Sequence, residues 1–301
     1  GGFGRTVITR EEQGVEALGY VMRYRDLAAG LDKRLRADSV LDGCAVVATD
    51  IGAESAIVTI CRNGIEQPIR ARLVVHAEGT PANAADVSVR DYHQHAVLAE
   101  VRPEPAHSHR AWERFTPDGP LALLPLGEEY SVVFTVPPEK ADVLMQMNDI
   151  AFLAALQQQF GTRLRFTATS SRARYPLALR LRKNLCSSRE VWIGNAAQTL
   201  HPVSGQGFNL GIRDAWELAE VLLAKNTADA GELPALESYS RGRQFDRHGS
   251  AAFTDGIVRA FSNDLGPLRI ARGLGLLALD LCPPARRFVS GRMIWGARAW
   301  P

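Results

Sequence analysis

Cysteine is scarce in this chain. The 301 residues hold four, Cys44, Cys61, Cys186 and Cys282, and no two of them form a CxxC pair. Their spacing suits neither a zinc site nor a disulfide framework, so reduced thiols and no metal are expected. An excess of one charge sign is also lacking: 35 basic side chains stand against 33 acidic ones. The formal net charge of +2 gives no global field that would favour nucleic acid as a partner. No apolar run approaches the ~20 residues that span a bilayer. No charged segment leading into an apolar stretch marks a secretory signal, so a cytoplasmic location is expected. The chain opens Gly1-Gly2-Phe3-Gly4-Arg5-Thr6 without a methionine, and these residues read as the middle of a domain.

What is present is an alternation of strand-like and helical patterns. The β-branched run Thr6-Val7-Ile8-Thr9 reads as a strand after a Gly-rich turn. Leu27, Leu31 and Leu35 recur at helical spacing, which predicts a helix from about Arg25. Residues 44–48 and 56–60 read as an antiparallel pair, and the run from Arg72 to Ala77 as a buried strand of a parallel sheet that ends at Glu78-Gly79-Thr80. Residues 96–101, 111–115, 121–126 and 130–135 are strand-like and punctuated by Pro and Gly, predicting an antiparallel sheet of roughly four to six strands. A helix near 150–160 and a strand near 165–170 follow. From Val191 the α/β pattern returns: a strand end, a Gly-rich loop, a helix from about Asn209 to Ala224, and a mostly helical remainder.

The Gly-rich loop is the informative segment. It runs Gly194-Asn195-Ala196-Ala197-Gln198-Thr199-Leu200-His201-Pro202-Val203-Ser204-Gly205-Gln206-Gly207-Phe208-Asn209-Leu210-Gly211-Ile212-Arg213-Asp214. A buried strand delivers small residues into the start of a helix. Glycine lets backbone approach a planar or anionic ligand closely, and a helix N-terminus offers unpaired N–H groups with partial positive charge. Such a loop suits an electron-rich ring edge or an anionic ring.

The whole run resembles the third fingerprint of the aromatic-hydroxylase flavoproteins, GDxxHxxxPxxGxGxNxGxxD. Within that family it is most similar to the ubiquinone-biosynthesis branch, in particular the 2-octaprenyl-6-methoxyphenol hydroxylase group, where Asn stands at the position of Asn195. Further segments agree: Trp112-Glu113-Arg114-Phe115-Thr116 with Gly119 to Leu126, Arg174-Tyr175-Pro176-Leu177, and Phe253-Thr254-Asp255. The resemblance covers essentially the whole chain. It implies an α/β fold in which a glutathione-reductase-type FAD-binding domain, N-terminally incomplete, is interleaved with an antiparallel substrate sheet. Residues 21–84 and 189–245 would form the FAD-binding part, 1–20 (as strands) and 85–188 the substrate part, and 246–301 a C-terminal helical region.

The resemblance also implies FAD and NAD(P)H as cofactors and hydroxylation of a prenylated phenol with O₂. Asn195 would lie near the ribityl chain. The backbone of Pro202 and of Gly205, Gln206, Gly207, Phe208 and Asn209 would face the flavin ring, and Gly194, Glu78 and Gly79 would also bind the cofactor. Gln94 matches a family glutamine at the start of the substrate sheet, and Arg23 or Arg25 would supply a cofactor-contacting basic residue. His201 is the candidate proton donor to the reaction; the competing reading is a hydrogen bond that fixes the loop.

Two departures from the family pattern bear on this. The first fingerprint, GxGxxG, is absent, so at least one βαβ unit of about 30 residues is expected to be missing. The chain alone is then expected to hold FAD weakly. The segment Gly273-Leu274-Gly275-Leu276-Leu277-Ala278 fits GxGxxA but lies in a helical stretch without a preceding strand. In the second fingerprint Glu78-Gly79 replaces Asp-Gly, and Ala82 stands where Ser is expected. A flavin hydroxylase of a soluble phenol and a non-catalytic, partner-binding fragment stand as alternatives. The Leu-rich, Arg-rich stretch 265–300 is expected either to touch an anionic membrane surface or a ubiquinone-biosynthesis partner, placing the protein peripherally at the inner membrane, or to pack on its own domain.

Overall fold

The computed structural model describes residues 4–80, 85–224, 229–261 and 266–296. The chain begins with a short helix, α1 (Arg10–Gln13), and a longer one, α2 (Tyr24–Asp32). A three-stranded antiparallel meander follows: β1 (Cys44–Ile51), β2 (Ala56–Arg62) and β3 (Ile65–Ala71). The first two are the expected pair. The third was hidden by Pro68, which lies opposite Thr59 and so sits within a paired strand rather than in a turn.

A short strand, β4 (Val74–His76), leads into the large sheet. That sheet is built from β5 (Val87–Glu104), β6 (Trp112–Phe115), β7 (Pro120–Leu126), β8 (Glu129–Val136), β9 (Arg165–Thr169), β10 (Ala173–Arg182) and a two-residue strand at Gln198–Thr199. It has seven strands, more than the four to six expected, because β5 is long enough to pair with β10 and β8 and, near its end, with β9. Alternation divides its residues between two faces. Val97, Ala99, Val101, Leu121, Leu123, Tyr130, Val132 and Phe134 form one buried face. Two helices cover that face, α3 (Pro138–Gln146) and α4 (Asp149–Phe160). Asn148 caps α4 by accepting the Ala151 N–H at 2.9 Å, and Phe152, Leu156 and Phe160 recur every fourth residue to form its buried stripe.

After β10, a third sheet forms from β11 (Cys186–Ser187) and β12 (Glu190–Trp192), with β12 parallel to β4. The Gln198–Thr199 strand, β13, then returns to pair with β10. The remainder is helical, as expected: α5 (Gly207–Leu223), α6 (Leu233–Phe261), α7 (Gly266–Leu281) and α8 (Pro283–Trp295). Leu185, Val191, Ala197, Leu218, Leu236 and Tyr239 form a second core between the third sheet, α5 and α6.

Two expectations need correction. Residues 4–20 contain no strand. Thr9 ends the extended run by accepting the Glu12 N–H, a Thr-x-x-Glu helix start that outweighs the β-branched run before it. This segment packs on the C-terminal helices instead: Val7 N–H reaches Asp280, Gln13 reaches Ser290 at 2.6 Å, and Arg286 pairs with Glu12. The boundary drawn between 245 and 246 also falls inside α6, which runs unbroken from Leu233 to Phe261.

Candidate functional site

The parallel neighbours β4 and β12 open at the same end. Beyond β4 come Glu78 and Gly79; beyond β12 come Gly194 and Asn195. Carboxyl ends of adjacent parallel strands are where open α/β sheets place their ligands. The two segments are tied together: Ile193 N–H donates to His76 O at 3.0 Å, and the Thr80 and Thr199 hydroxyls lie 2.9 Å apart. His76 stacks flat on Trp192, with ring centroids 4.8 Å apart, and its Nε2 meets Glu190. His76 is therefore structural. Glu78 is largely exposed, its carboxylate 3.7 Å from His76 Nδ1. Ala82 lies outside the described residues.

Gly194 to Ala196 form one 3₁₀ turn and Pro202 to Ser204 another, after which α5 begins. Gly205 takes the left-handed conformation at φ 60°, which a side chain would strain. Gly211, one turn into α5, lies so close to Gly194 that a Cβ there would come within 3.2 Å of the Gly194 Cα. The loop thus presents two layers. Val203, Ser204, Gln206 and Leu210 are buried and anchor it, whereas Asn195, Pro202, Gly205, Phe208 and Asn209 face outward. No side chain caps α5. The first-turn N–H groups of Gly207, Phe208 and Asn209 consequently have no acceptor within the helix.

Buried charge holds this loop from behind. Asp214 is 2% exposed and accepts three donors: Gly194 N–H at 2.9 Å, Gln198 Nε2 at 2.6 Å and Arg243 Nε at 2.7 Å. Arg243, fully buried, also reaches Glu217 at 2.8 Å and Asp246 at 3.0 Å. Arg247 donates to the carbonyls of Ala197 and Arg182, and Arg182 donates to the Ala196 carbonyl and to Asp86. Burial pulls Arg247 down to about 10, so it is still charged at neutral pH. The sequence reading missed Arg182, Arg243 and Arg247. The available signal was a polar stripe at helical spacing in α6, comprising Arg243, Asp246, Arg247, Ser250 and Thr254, which turns inward.

His201 is 1% exposed. Its Nδ1 accepts the Val203 N–H at 3.1 Å and so caps the second 3₁₀ turn. With Nδ1 acting as acceptor, the proton of the neutral ring sits on Nε2, which is buried without a partner. Tyr92 meets the ring edge to face at 5.2 Å. Burial lowers the His201 pKa to about 4. A ring that stays neutral to so low a pH and already spends one nitrogen on the backbone is a loop-fixing group rather than a proton donor poised near neutrality. Ser204 bonds Thr254 at 2.9 Å, joining the loop to α6.

Other residues singled out in the sequence fall elsewhere. Arg23 forms a two-pronged pair with Glu100 at the end of the large sheet, and Arg25 is exposed beside Asp26. Gln94 is buried next to the β6–β7 turn and donates to Asp118 O at 2.7 Å. Arg114 points toward α4 and donates to the Phe160 carbonyl. Gly273 lies inside α7 against the backbone of Gly4, with no strand before it. Among the described residues there is no cluster of metal-ligating side chains.

The profile of the FAD binding domain family matches residues 31–248. The chain belongs to this family. It is 36% identical over 230 residues to ubiquinone hydroxylase UbiL of Rhodospirillum rubrum, covering 73% of this chain and 54% of that protein. It is 34% identical to the 3-demethoxyubiquinol 3-hydroxylase of Escherichia coli, covering 70% of this chain and 56% of the relative. The chain therefore spans about half the length of the curated relatives it matches. Among solved structures, its fold is similar to the OxyS anhydrotetracycline hydroxylase of Streptomyces rimosus, with TM-score 0.68 and 21% identity over 94% of this chain and 58% of that one. It is also similar to p-nitrophenol 4-monooxygenase PnpA of Pseudomonas putida, with TM-score 0.66 and 17% identity over 85% of this chain and 67% of that one. The residues present fit a flavin ring: an uncapped helix start, a left-handed Gly205 on the outward side, and a loop whose backbone is hydrogen-bonded from behind.

Two outcomes follow from the loop. A Cβ added at Gly207 meets no atom within 4 Å, so Gly207→Val is expected to fold with a thermal midpoint near the parent's. Its bulk projects outward, and in the full-length protein FAD affinity should fall more than about tenfold, measured by fluorescence titration. His201 gives a pH dependence. Between pH 6.5 and about 4 the unfolded chain binds a proton that the folded chain refuses, so folding stability falls as pH drops through that window. The total is about 3 kcal/mol. His201→Asn, whose Oδ1 can still accept the Val203 N–H, should lose less stability than the parent between pH 7 and 4.5 in urea titrations. Equal losses would contradict the assignment.

Proposed function

We propose that the protein is an FAD-dependent monooxygenase that hydroxylates a prenylated phenol in ubiquinone biosynthesis, using NAD(P)H and O₂. The observation that carries this reading is the outward-facing loop 194–209, clamped by Asp214, in a chain of the FAD binding domain family whose relatives include ubiquinone hydroxylases. Backbone of Pro202 and Gly205 to Asn209 would hold the flavin ring, and Asn195 would sit by the ribityl chain, with Glu78 and Gly79 on the neighbouring strand end. Bound FAD, once reduced, supplies the O₂ activation that ring hydroxylation requires. The chain's own residues orient the ring edge through the first-turn N–H groups of α5 and keep water from the loop's buried side. His201, neutral and fixed, moves no proton in this scheme.

A prenylated rather than an acidic substrate is favoured by the large sheet. Small aromatic acids are usually held by an arginine through two parallel hydrogen bonds. Arg114, the arginine of β6, is engaged on the α4 side. The opposite face offers Leu98, Ala122, Leu124 and Val133, where each buried CH₂ of a prenyl tail contributes ~0.8 kcal/mol. The full-length, FAD-loaded protein is expected to oxidise NAD(P)H far faster with a prenylphenol than with 4-hydroxybenzoate, by at least two orders of magnitude in kcat/KM. Equal stimulation by both would contradict the reading.

Delivery from a membrane surface belongs to the same proposal. α7 exposes Ile270, Leu274, Leu277 and Leu281 at helical spacing. Residues 266–296 carry five arginines and one acidic residue. An apolar stripe with surplus positive charge suits an anionic lipid surface. No helix among the described residues is long and apolar enough to cross a membrane, so contact would be peripheral. The protein is expected to float with vesicles containing anionic lipid, and Leu274→Asp with Leu281→Asp is expected to abolish flotation. Unchanged flotation would contradict the surface assignment.

A further inference from the structure

The large sheet has a second face, opposite the one covered by α3 and α4, and one carboxylate stands on it alone. In β6, Trp112 and Arg114 point toward α4: the Trp112 ring meets Phe160 at 5.8 Å, and Arg114 reaches the Phe160 carbonyl. Alternation turns Glu113 and Phe115 the other way. Phe115 stacks on Phe261 of α6, with centroids 3.9 Å apart. Phe261 lies seven residues, about two turns, beyond Thr254, which holds Ser204 of the Gly-rich loop. The face that carries Glu113 is thus the one turned toward the elements that bear the proposed flavin site.

The register gives its surroundings. Glu113 lies opposite Ala122, Ala122 opposite Val133, and Val133 opposite Leu98. These neighbours are small or apolar. Among the described residues no hydrogen-bond donor or cation acts on the Glu113 carboxyl; the side chain is exposed, and the protein around it raises its pKa to about 7. The charged groups around this face are occupied with one another. Glu100 pairs with Arg23, Glu129 lies near Arg23 and Arg102, and Asp118 pairs with Lys140. On α6, Asp255 is tied to Arg90 and Arg259. Toward the β6–β7 turn the same face holds two buried polar atoms without partners, Gln94 Oε1 and Thr135 Oγ1. Glu113 is thus an exposed carboxylate without a partner, set among apolar side chains on the face turned toward α6.

We infer that Glu113 is the substrate-recognition residue of this face: its carboxylate accepts the hydrogen bond of a neutral phenol's hydroxyl and repels an aromatic acid. The inference rests on the proposed hydroxylase reading and deepens it by naming what reads the phenol. An O–H···O⁻ bond in such surroundings is short and strong, and it pushes electron density into the ring that is to be attacked. Among the described residues no cation pairs with Glu113, so its charge welcomes a phenol hydroxyl and disfavours a substrate carboxylate.

The test uses the FAD-loaded protein and two probes, a phenol bearing a ten-carbon prenyl chain and 4-hydroxybenzoate. Binding is read from the perturbation of the flavin absorption at pH 6 and pH 8. The parent should bind the prenylphenol more tightly at pH 8, where Glu113 is ionised. Glu113→Leu should weaken that binding about ten- to a hundredfold at pH 8 with unchanged FAD content, the loss expected for one charged hydrogen bond. Glu113→Gln keeps an acceptor and should retain most of the affinity, lose the pH dependence and bind 4-hydroxybenzoate at least about tenfold more tightly. A prenylphenol Kd that is the same in parent and both variants at both pH values overturns the role of Glu113 and leaves the hydroxylase reading standing. A parent that takes up neither phenol contradicts the hydroxylase reading and the inference together.

Discussion

The buried contact between Asp214 and Arg243 is the constraint on which the site depends. Asp214 sits on α5, Arg243 on α6, and the Gly194 N–H closes the third side, so one carboxylate locks two helices to the start of the Gly-rich loop. Two ions buried in this way contribute little net stability against apolar replacements. Removing one partner alone, however, leaves an uncompensated charge, at a cost of about 3–5 kcal/mol. What such a pair supplies is uniqueness. The carbonyls of Ala196 and Ala197 are held by Arg182 and Arg247, so each backbone group behind the loop has an assigned direction. The outward layer, from Pro202 to Asn209, inherits its shape from these contacts.

That arrangement also links the loop to the rest of the molecule. Arg182 ends β10, so a strand of the large sheet touches the backbone next to Asn195. α6 carries Arg243 and Arg247 against the loop, Thr254 against Ser204 and Phe261 against Phe115. α8 reaches back as well: Gln206 donates to the Met293 carbonyl, and Arg213 bonds Gln206 at 3.1 Å. The C-terminal helices are therefore part of the site's support, and so is the N-terminal segment that packs on α7 and α8 through Val7, Glu12 and Gln13.

Much of this was legible in the sequence, for identifiable reasons. The strand-like runs 96–101, 121–126 and 130–135, rich in apolar residues and bounded by Pro and Gly, became β5, β7 and β8. The stripe of Phe152, Leu156 and Phe160 became α4. The Gly194 to Asp214 run could be read because close backbone approaches leave glycine at fixed spacing. What escaped was set by tertiary contact. The Thr6 to Thr9 run has strand-forming residues but no strand beside it, so the cap at Thr9 decided the outcome. The polar stripe of α6 has the spacing of a solvated face, yet it turns inward because Asp214 and the loop carbonyls partner it. Whether Arg114 or Glu113 turns toward α4 depends on a one-residue phase in β6, which composition cannot give and the contacts with Phe160 settle.

In the proposed site the flavin ring lies against the outer layer of one loop. Hydrogen–deuterium exchange of the full-length protein with and without FAD tests that placement most directly, because the first-turn amides of α5 lack partners within the helix. The expected result is that FAD slows exchange most strongly in residues 202–209, with a smaller effect at 194–196 and little change in α3 and α4. Protection by FAD that leaves 194–209 unchanged and appears elsewhere would contradict it.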